Sequence, residues 1–205
     1  MIIAVDGPAA SGKGTLARRL AAELGLAYLD TGKLYRAVGF HVLTEGGDPA
    51  DAETALAAAE KLNELDLSNP RLAGDDAANA ASKVAAIEPV RAALRTFQTE
   101  FAAAPQGAVL DGRDIGTSVC PHADVKLFVT ADVETRADRR HKELLDRGET
   151  SIYARVLEAL ADRDARDRGR SVAPMKAADD AIIIDTTTMD AEEAFNTAIS
   201  IIRSR

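Results

Sequence analysis

Five short runs of consecutive apolar residues punctuate the chain, at Ile2 to Val5, Ala27 to Leu29, Ala108 to Leu110, Val125 to Val129 and Ala181 to Ile184, each bounded by turn-forming residues. They are continuous rather than alternating. Unbroken runs of this kind are read from strands whose sheet is covered on both faces, as parallel sheets are. Between them the apolar positions fall at helical spacing, over about 14 to 24, 32 to 44, 51 to 64, 76 to 101 with a break near Pro89, 132 to 147, 151 to 167 and 190 to 203. In the first of these, Leu16, Leu20 and Leu24 form a stripe with Arg18, Arg19 and Glu23 between them. Strand alternating with helix predicts an α/β fold, a doubly wound five-stranded parallel sheet with ligands at the carboxyl ends of its strands.

The stretch from Gly46 to Ala80 has a different texture. A brief alternation at Leu65, Asp66 and Leu67 runs into a turn at Ser68, Asn69 and Pro70, and the alanine-rich surroundings favour helix. This stretch reads as an insertion into the core. No linker separates two large units, so the 205 residues are expected to fold as one domain.

The sharpest chemical signal follows the first strand. Gly7, Pro8, Ala9, Ala10, Ser11, Gly12, Lys13, Gly14 and Thr15 read GPAASGKGT, with four residues between Gly7 and the Gly12–Lys13 pair. That spacing is a P-loop: its glycines turn backbone N–H groups inward around phosphate oxygens, and Lys13 neutralises the outer phosphates. A helix starting at the loop's end directs its unpaired N–H groups at the same anion. A nucleoside triphosphate is the expected ligand. Gly14 stands where Ser or Thr usually follows the lysine, which leaves the hydroxyl to Thr15; this GKGT variant resembles nucleoside monophosphate kinases.

Composition narrows the partners. The 33 acidic and 25 basic residues give a net charge of -8, which argues against a general binder of nucleic acid. Anionic ligands must therefore be met locally. Nine of the 18 arginines fall between Arg136 and Arg170 among eight acidic residues, a mixture in which most are expected to be solvated helix surface and a minority to face phosphate. Cys120 is the single cysteine, which excludes an internal disulfide and fits a packing role, and His41, His122 and His141 are too scattered for shared chemistry. With no charged and apolar leader and no run of about 18 apolar residues, a cytoplasmic chain free of the membrane is expected. No stripe suggests an extended interface, so a monomer is expected.

Three further clusters sit where an open sheet places ligands. After the second strand, Asp30 or Thr31 caps a helix, and Arg36 follows one turn in, where a planar guanidinium suits phosphate. After the third strand come Asp111, Gly112, Arg113 and Asp114, which are either a salt-bridged turn or a ligand site. In the second case Asp111 orients a magnesium-bound water, Arg113 holds phosphate, and Asp114 accepts from an exocyclic amine such as cytosine N4. Near the end, Arg163, Asp164, Ala165, Arg166, Asp167, Arg168, Gly169 and Arg170 run off a helix. There Arg166 and Arg170 would repel at i,i+4 unless an anion lay between them.

Taken in order, GPAASGKGT, YLDTGKLYR, NAASKVAAIEPVR, DGRDIGT, VKLF and RDARDRGRSVAP resemble the bacterial cytidylate kinase family from Ile2 to about Thr187. The resemblance implies the nucleoside monophosphate kinase fold: a core over about 1–30, 105–135 and 171–205, an acceptor region over 31–104 that includes the insert at 46–80, and an arginine-bearing lid over 136–170. It implies transfer of a phosphoryl group from ATP, with Mg2+, to CMP or dCMP. Gly7 to Thr15 would hold ATP, while Lys13, Arg36, Arg113 and Arg170 would offset charge on the group in transfer. Thr31 and Arg36 would meet the acceptor phosphate, with Arg113 beside it. Ser82, Arg91 and Asp114 would read cytosine, Arg163 and Asp167 would contact the sugar, and Thr15 with Asp111 would face the metal. Closure of Arg136 to Arg147 would exclude water. One departure stands out: Asp66 to Ala80 is too short for the small antiparallel sheet of many members, so a reduced, mostly helical insert is expected. The neighbouring readings are a kinase for UMP, AMP or a non-nucleotide acceptor, and a nucleotide-binding regulator without transferase activity.

Overall fold

A computed structural model of the chain describes residues 1–204; Arg205, the last residue of the expected core segment, lies outside the described residues. The five apolar runs become strands β1 (Ile2–Asp6), β2 (Ala27–Asp30), β3 (Ala108–Gly112), β4 (Val125–Thr130) and β5 (Ile182–Asp185). They form a single sheet in the order β2-β3-β1-β4-β5, and every pairing is parallel. The helices are α1 (Lys13–Leu24), α2 (Thr31–Thr44), α3 (Ala52–Glu60), α4 (Asp75–Val84), α5 (Glu88–Ala102), α6 (Val133–Asp146), α7 (Tyr153–Gly169) and α8 (Ala191–Arg203).

Both faces of the sheet are covered, which is why the strands read as unbroken apolar runs. On one face Ile3, Val5, Val109 and Leu127 pack with Leu16 and Leu20 of α1 and Ala198 and Ile202 of α8. On the other, Ala4, Ala108 and Leu110 pack with Ile115, Val119 and Cys120. Burial there pushes the Cys120 thiol up to about 11, in keeping with its expected packing role. A third cluster, with Leu34, Val38, Val84 and Leu94, holds α2 to α5 together, and a fourth joins α6 and α7 through Ala137, Leu144, Val156 and Leu160.

Local chemistry sets the element ends. Asp30, Asp51, Asp132 and Asp190 each cap a helix through the side chain, and Asp190 completes a reciprocal capping box with Glu193. The break expected near Pro89 falls at residues 85–87, and Pro89 sits in the first turn of α5, where its missing N–H costs nothing. The helix expected over 51 to 64 stops at Glu60. Short 3₁₀ turns at Leu62–Glu64 and Pro70–Ala73, joined through an extended Leu65 and a turn at Leu67 and Ser68, take its place. The insert contains no strand among the described residues, and Leu65 and Leu67 turn inward onto the α2–α5 cluster.

Gly7 is required where β1 enters the loop. Its φ is +147°, and a Cβ there would lie 2.0 Å from the Val129 carbonyl oxygen of the neighbouring strand. The base of α6 is fixed to the core. Buried Arg136 donates to the Ala131 carbonyl, to the Ala9 carbonyl in the loop at 3.2 Å and to Asp164 of α7 at 2.7 Å, while Arg139 donates to Thr186. Among the described residues, no helix is long and apolar enough to cross a membrane.

Candidate active site

The parallel register brings the carboxyl ends of β2, β3 and β1 side by side, with Asp30 opposite Asp111 and Asp6 opposite Gly112. A cavity of about 510 Å³ opens over these ends, between α2, α4 and α7. Its wall carries eight cations (Lys13 and arginines 18, 36, 91, 113, 140, 163 and 170) against six carboxylates. A chain with an overall charge of -8 thus has a local excess of positive charge here.

The loop forms one end. Ala10 and Gly12 take left-handed backbone angles, φ +58° and +86°, as the chain curls before α1. Lys13 is buried, and its Nζ reaches the Pro8 carbonyl at 3.3 Å. Burial and then the nearby Arg113 lower its pKa to about 7, so a bound anion would restore the charge that burial disfavours. Ala9, Ala10, Lys13 and Gly14 line the cavity, while Gly7, Pro8, Ser11, Gly12 and Thr15 complete the loop without lining it. Thr15 is exposed on the first turn of α1. Against Gly14 lies Asp111: a Cβ on Gly14 would stand 3.4 Å from Asp111 Oδ2. Tyr28 donates its hydroxyl to Asp111 Oδ1 at 3.0 Å, and burial, with Asp30 next, raises the Asp111 pKa.

Along α2, Asp30 caps the helix and pairs with Arg36 at 2.7 Å. Burial pushes the Asp30 carboxyl up, but Arg36 outweighs it and holds the pKa below the usual range. Thr31 donates to the Asp111 carbonyl at 2.7 Å. A side chain on Gly112 would strike Thr31 Oγ1 at 2.7 Å and Ile115 at 2.8 Å, so this closeness of β3 and α2 demands glycine.

The far end is a network of arginines and carboxylates drawn from distant segments. Asp114 pairs with Arg91 and lies 3.5 Å from Arg170 Nη2. Asp167 accepts from Ser82 Oγ at 2.9 Å and Arg113 Nε at 3.2 Å, with Arg163 at 3.9 Å. Burial works against ionised Asp167, but Arg113, Arg163 and Arg170 together keep its pKa below the usual range. Burial and Arg113 bring Arg163 down to about 10. Arg36 Nε, Arg91 Nε, Arg163 Nε and Arg170 Nη2 are buried without a hydrogen-bond partner among the described residues. Arg170 Nη2 and Arg163 Nε stand at ion-pair range of Asp114 and Asp167 without a hydrogen bond, so all four nitrogens are left able to donate to a ligand in the cavity.

Every residue expected outside the loop lines this cavity: Thr31, Arg36, Ser82, Arg91, Asp111, Arg113, Asp114, Arg163, Asp167 and Arg170. One expectation needs correction. Arg166 is exposed and donates to Asn79, and the helix ends at Gly169, so Arg166 and Arg170 do not flank a common anion. In Arg136 to Arg147, only Arg140 of the four arginines lines the cavity, because Arg136 and Arg139 are anchored to the core and Arg147 turns to the Ala73 carbonyl. The sequence reading also missed Tyr35, which lines the wall beneath Arg91, and Asp6, which is buried at the end of β1. Tyr35 stands beside Arg36 in the YLDTGKLYR run, and Asp6 is a carboxylate ending an apolar run, so both left a signal.

No group of three or more His, Cys, Asp or Glu among the described residues can hold a metal alone. Magnesium at nucleotides needs only one or two protein ligands beside phosphate and water, so the buried carboxylate of Asp111, which lines the cavity beside the loop, fits it.

The model of the family described as cytidylate kinase matches residues 3–204. The chain is 59% identical to the cytidylate kinase of Paramagnetospirillum magneticum, over 100% of this chain and 98% of that one. It is 58% identical to the cytidylate kinase of Rhodospirillum rubrum (98% and 97% covered) and 57% identical to that of Methylocella silvestris (100% and 94%). Among solved structures, an uncharacterised protein from Eubacterium ventriosum shares the fold with a TM-score of 0.58 at 15% identity, covering 100% of this chain and 99% of that one. TT1252 from Thermus thermophilus does so with a TM-score of 0.53 at 18% identity (100% and 96%). The family model over residues 3–204, with relatives 59% and 58% identical over nearly the whole chain, identifies the chain as a member of the cytidylate kinase family.

Proposed function

We propose that the chain transfers the γ-phosphoryl group of ATP to CMP or dCMP, giving ADP and the corresponding diphosphate. The observation that carries this reading is the set of four buried arginine nitrogens that make no hydrogen bond among the described residues and share one cavity with the P-loop lysine. Two polyanions meeting end to end satisfy those donors, and the reaction needs no covalent intermediate. Catalysis then rests on alignment and on offsetting charge in the transition state.

The loop Gly7 to Thr15 binds the donor phosphates through its N–H groups, with Lys13 on the outer phosphates. Thr31 and Arg36 meet the acceptor phosphate, Arg113 lies beside it, and Arg170 faces the group in transfer. Asp114 accepts from cytosine N4, with Ser82 and Arg91 completing the base contacts; Arg91 donates where cytosine presents N3 and O2. Uracil reverses part of that pattern and leaves buried groups unpaired. Arg163 and Asp167 hold the sugar. Asp111 and Thr15 would hold magnesium, which when bound neutralises phosphate charge. The acceptor region is 31–104, with a reduced insert at 46–80, and the lid is 136–170. The site is built from one chain, so a monomer suffices.

A panel of acceptors with purified protein tests this. CMP or dCMP should give the fastest acceptor-dependent ADP release; faster turnover with UMP or AMP would overturn the assignment. In Asp114→Ala the KM for CMP should rise by about 10²-fold while that for ATP moves less than about threefold.

A further inference from the structure

The carboxylate of Asp6 makes two hydrogen bonds that the proposed reaction leaves unexplained. Asp6 is the last residue of β1, immediately before Gly7, and is 5% exposed. Its Oδ1 accepts from the backbone N–H of Ile115 at 2.7 Å and its Oδ2 from that of Gly116 at 2.8 Å. These are the two residues directly after Asp114. They open a wide π-type turn, Ile115–Val119, which Asp114 enters with φ -148° and ψ 27°. Asp6 does not line the cavity.

Turns of this width are uncommon, and here the turn sets the direction in which Arg113 and Asp114 leave β3. Its first N–H groups have no partner within the turn, and a carboxylate with two oxygens satisfies both at once, where a neutral amide satisfies one. The same residue begins the loop for the donor phosphates. One carboxylate therefore fixes the spacing between the phosphate loop and the residues that face the acceptor base.

We infer that Asp6 is a positioning residue for acceptor recognition: it holds the turn after Asp114 in place, and so sets cytosine selectivity without touching either nucleotide. This rests on the reading of Asp114 as the group that accepts from cytosine. Its signature is a selective loss. Damage to Asp6 should be felt at the acceptor base first, because the loop has its own backbone contacts, including the Arg136 bond to the Ala9 carbonyl and the Thr186 bond to the Ser11 carbonyl.

The experiment is a double-mutant cycle of Asp6→Asn and Asp114→Ala, with KM and kcat measured for CMP, UMP and ATP. Asp6→Asn alone should raise the KM for CMP at least about tenfold and reduce the preference for CMP over UMP at least about tenfold, with the KM for ATP changing less than about threefold. In the Asp114→Ala background, Asp6→Asn should cause little further loss of preference, since the group it positions is gone. Equal rises in the KM for CMP and ATP, or losses that multiply in the double variant, would overturn the inference while leaving the kinase assignment intact. Absence of CMP-dependent turnover in the unmodified protein would sink the kinase assignment itself. Should Asp6→Asn fail to fold, Gly116→Ala probes the same contact from the other side. Its Cβ would stand 3.4 Å from Asp6 Oδ2 and 3.1 Å from the Lys126 side chain, crowding the contact without removing a charge. A selective rise in the KM for CMP supports the inference, and an equal change for both nucleotides overturns it.

Discussion

The glycine-rich loop and the arginine network at the opposite end of the cavity present hydrogen-bond donors to the same space by different constructions. The loop is nine consecutive residues whose binding groups are mainly backbone N–H, held by left-handed angles at Ala10 and Gly12 and by the contact of Gly7 with β4. The network is made of side chains from four separate segments: Ser82 bonds Asp167 across 85 positions, Arg113 bonds Asp167 across 54, and Arg91 bonds Asp114 across 23. A backbone site is insensitive to the identity of most of its residues. A side-chain network distinguishes ligands, because each donor or acceptor left unmatched is buried. The construction at each end suits the ligand proposed for it, a phosphate chain in the first case and a particular base in the second.

The largest effect that tests this contrast belongs to Lys13. Lys13→Met should lower kcat/KM by about 10³-fold, and by the same factor for every acceptor, because the lost charge serves the phosphates alone. Steady-state kinetics with CMP and UMP read this directly, and a factor that depends on the acceptor would blur the division between the two ends.

An intermediate effect is expected where the ends join, at Asp6. Burial, opposed by its two backbone bonds, raises this carboxyl to about 7 from 3.8, with Asp114 adding to the rise and Arg113 opposing it. A carboxyl raised in the folded state favours folding below its unfolded pKa and loses that contribution as pH climbs through the folded value. Stability should therefore fall between about pH 4 and 7, by up to about 1.4 kcal/mol per pH unit from this group. Denaturant melts over that range should show a shallower slope in Asp6→Asn; an unchanged slope would place the titration elsewhere.

The smallest effect concerns the rim. Arg140 joins α6 to the insert through Asp75 at 2.5 Å and the Ala73 carbonyl at 3.2 Å, and the Asp75 side chain is 59% exposed. Exposed pairs contribute about 0–1 kcal/mol and are screened by salt. Arg140→Met should change the KM for either nucleotide by no more than about threefold, with the difference shrinking at high ionic strength. A loss comparable to that of Asp114→Ala would make the rim part of the recognition network.

The same contrast explains what was legible in the sequence. Strand positions were plain because Ile2 to Val5 and its counterparts lie in a sheet covered on both faces, and the loop was plain because its spacing is contiguous. The break at Pro89 was visible because proline marks a helix start. Arg36, Arg113 and Arg170 could be placed at strand or helix ends, yet that Asp167 joins Ser82 to Arg113 depends on α7 folding back over α4, which no local pattern records. Arg166 was misread for the same reason. Charge in a mixed helix looks alike whether it faces a ligand, a buried carboxylate such as Asp164 or water. The turn at Ile115–Val119 left no periodic trace, being held by Asp6 from more than 100 positions away.

Arg136 also restricts how the molecule can move. Its guanidinium grips the loop at Ala9 and α7 at Asp164 together, and separating α6 from α7 at that level would leave a carboxylate that is 6% exposed with the more distant Arg168, at 3.7 Å, as its cation. A swing of the proposed lid over 136–170 would have to pivot beyond this clasp or carry the loop along, which would gear release of spent donor to uncovering of the acceptor.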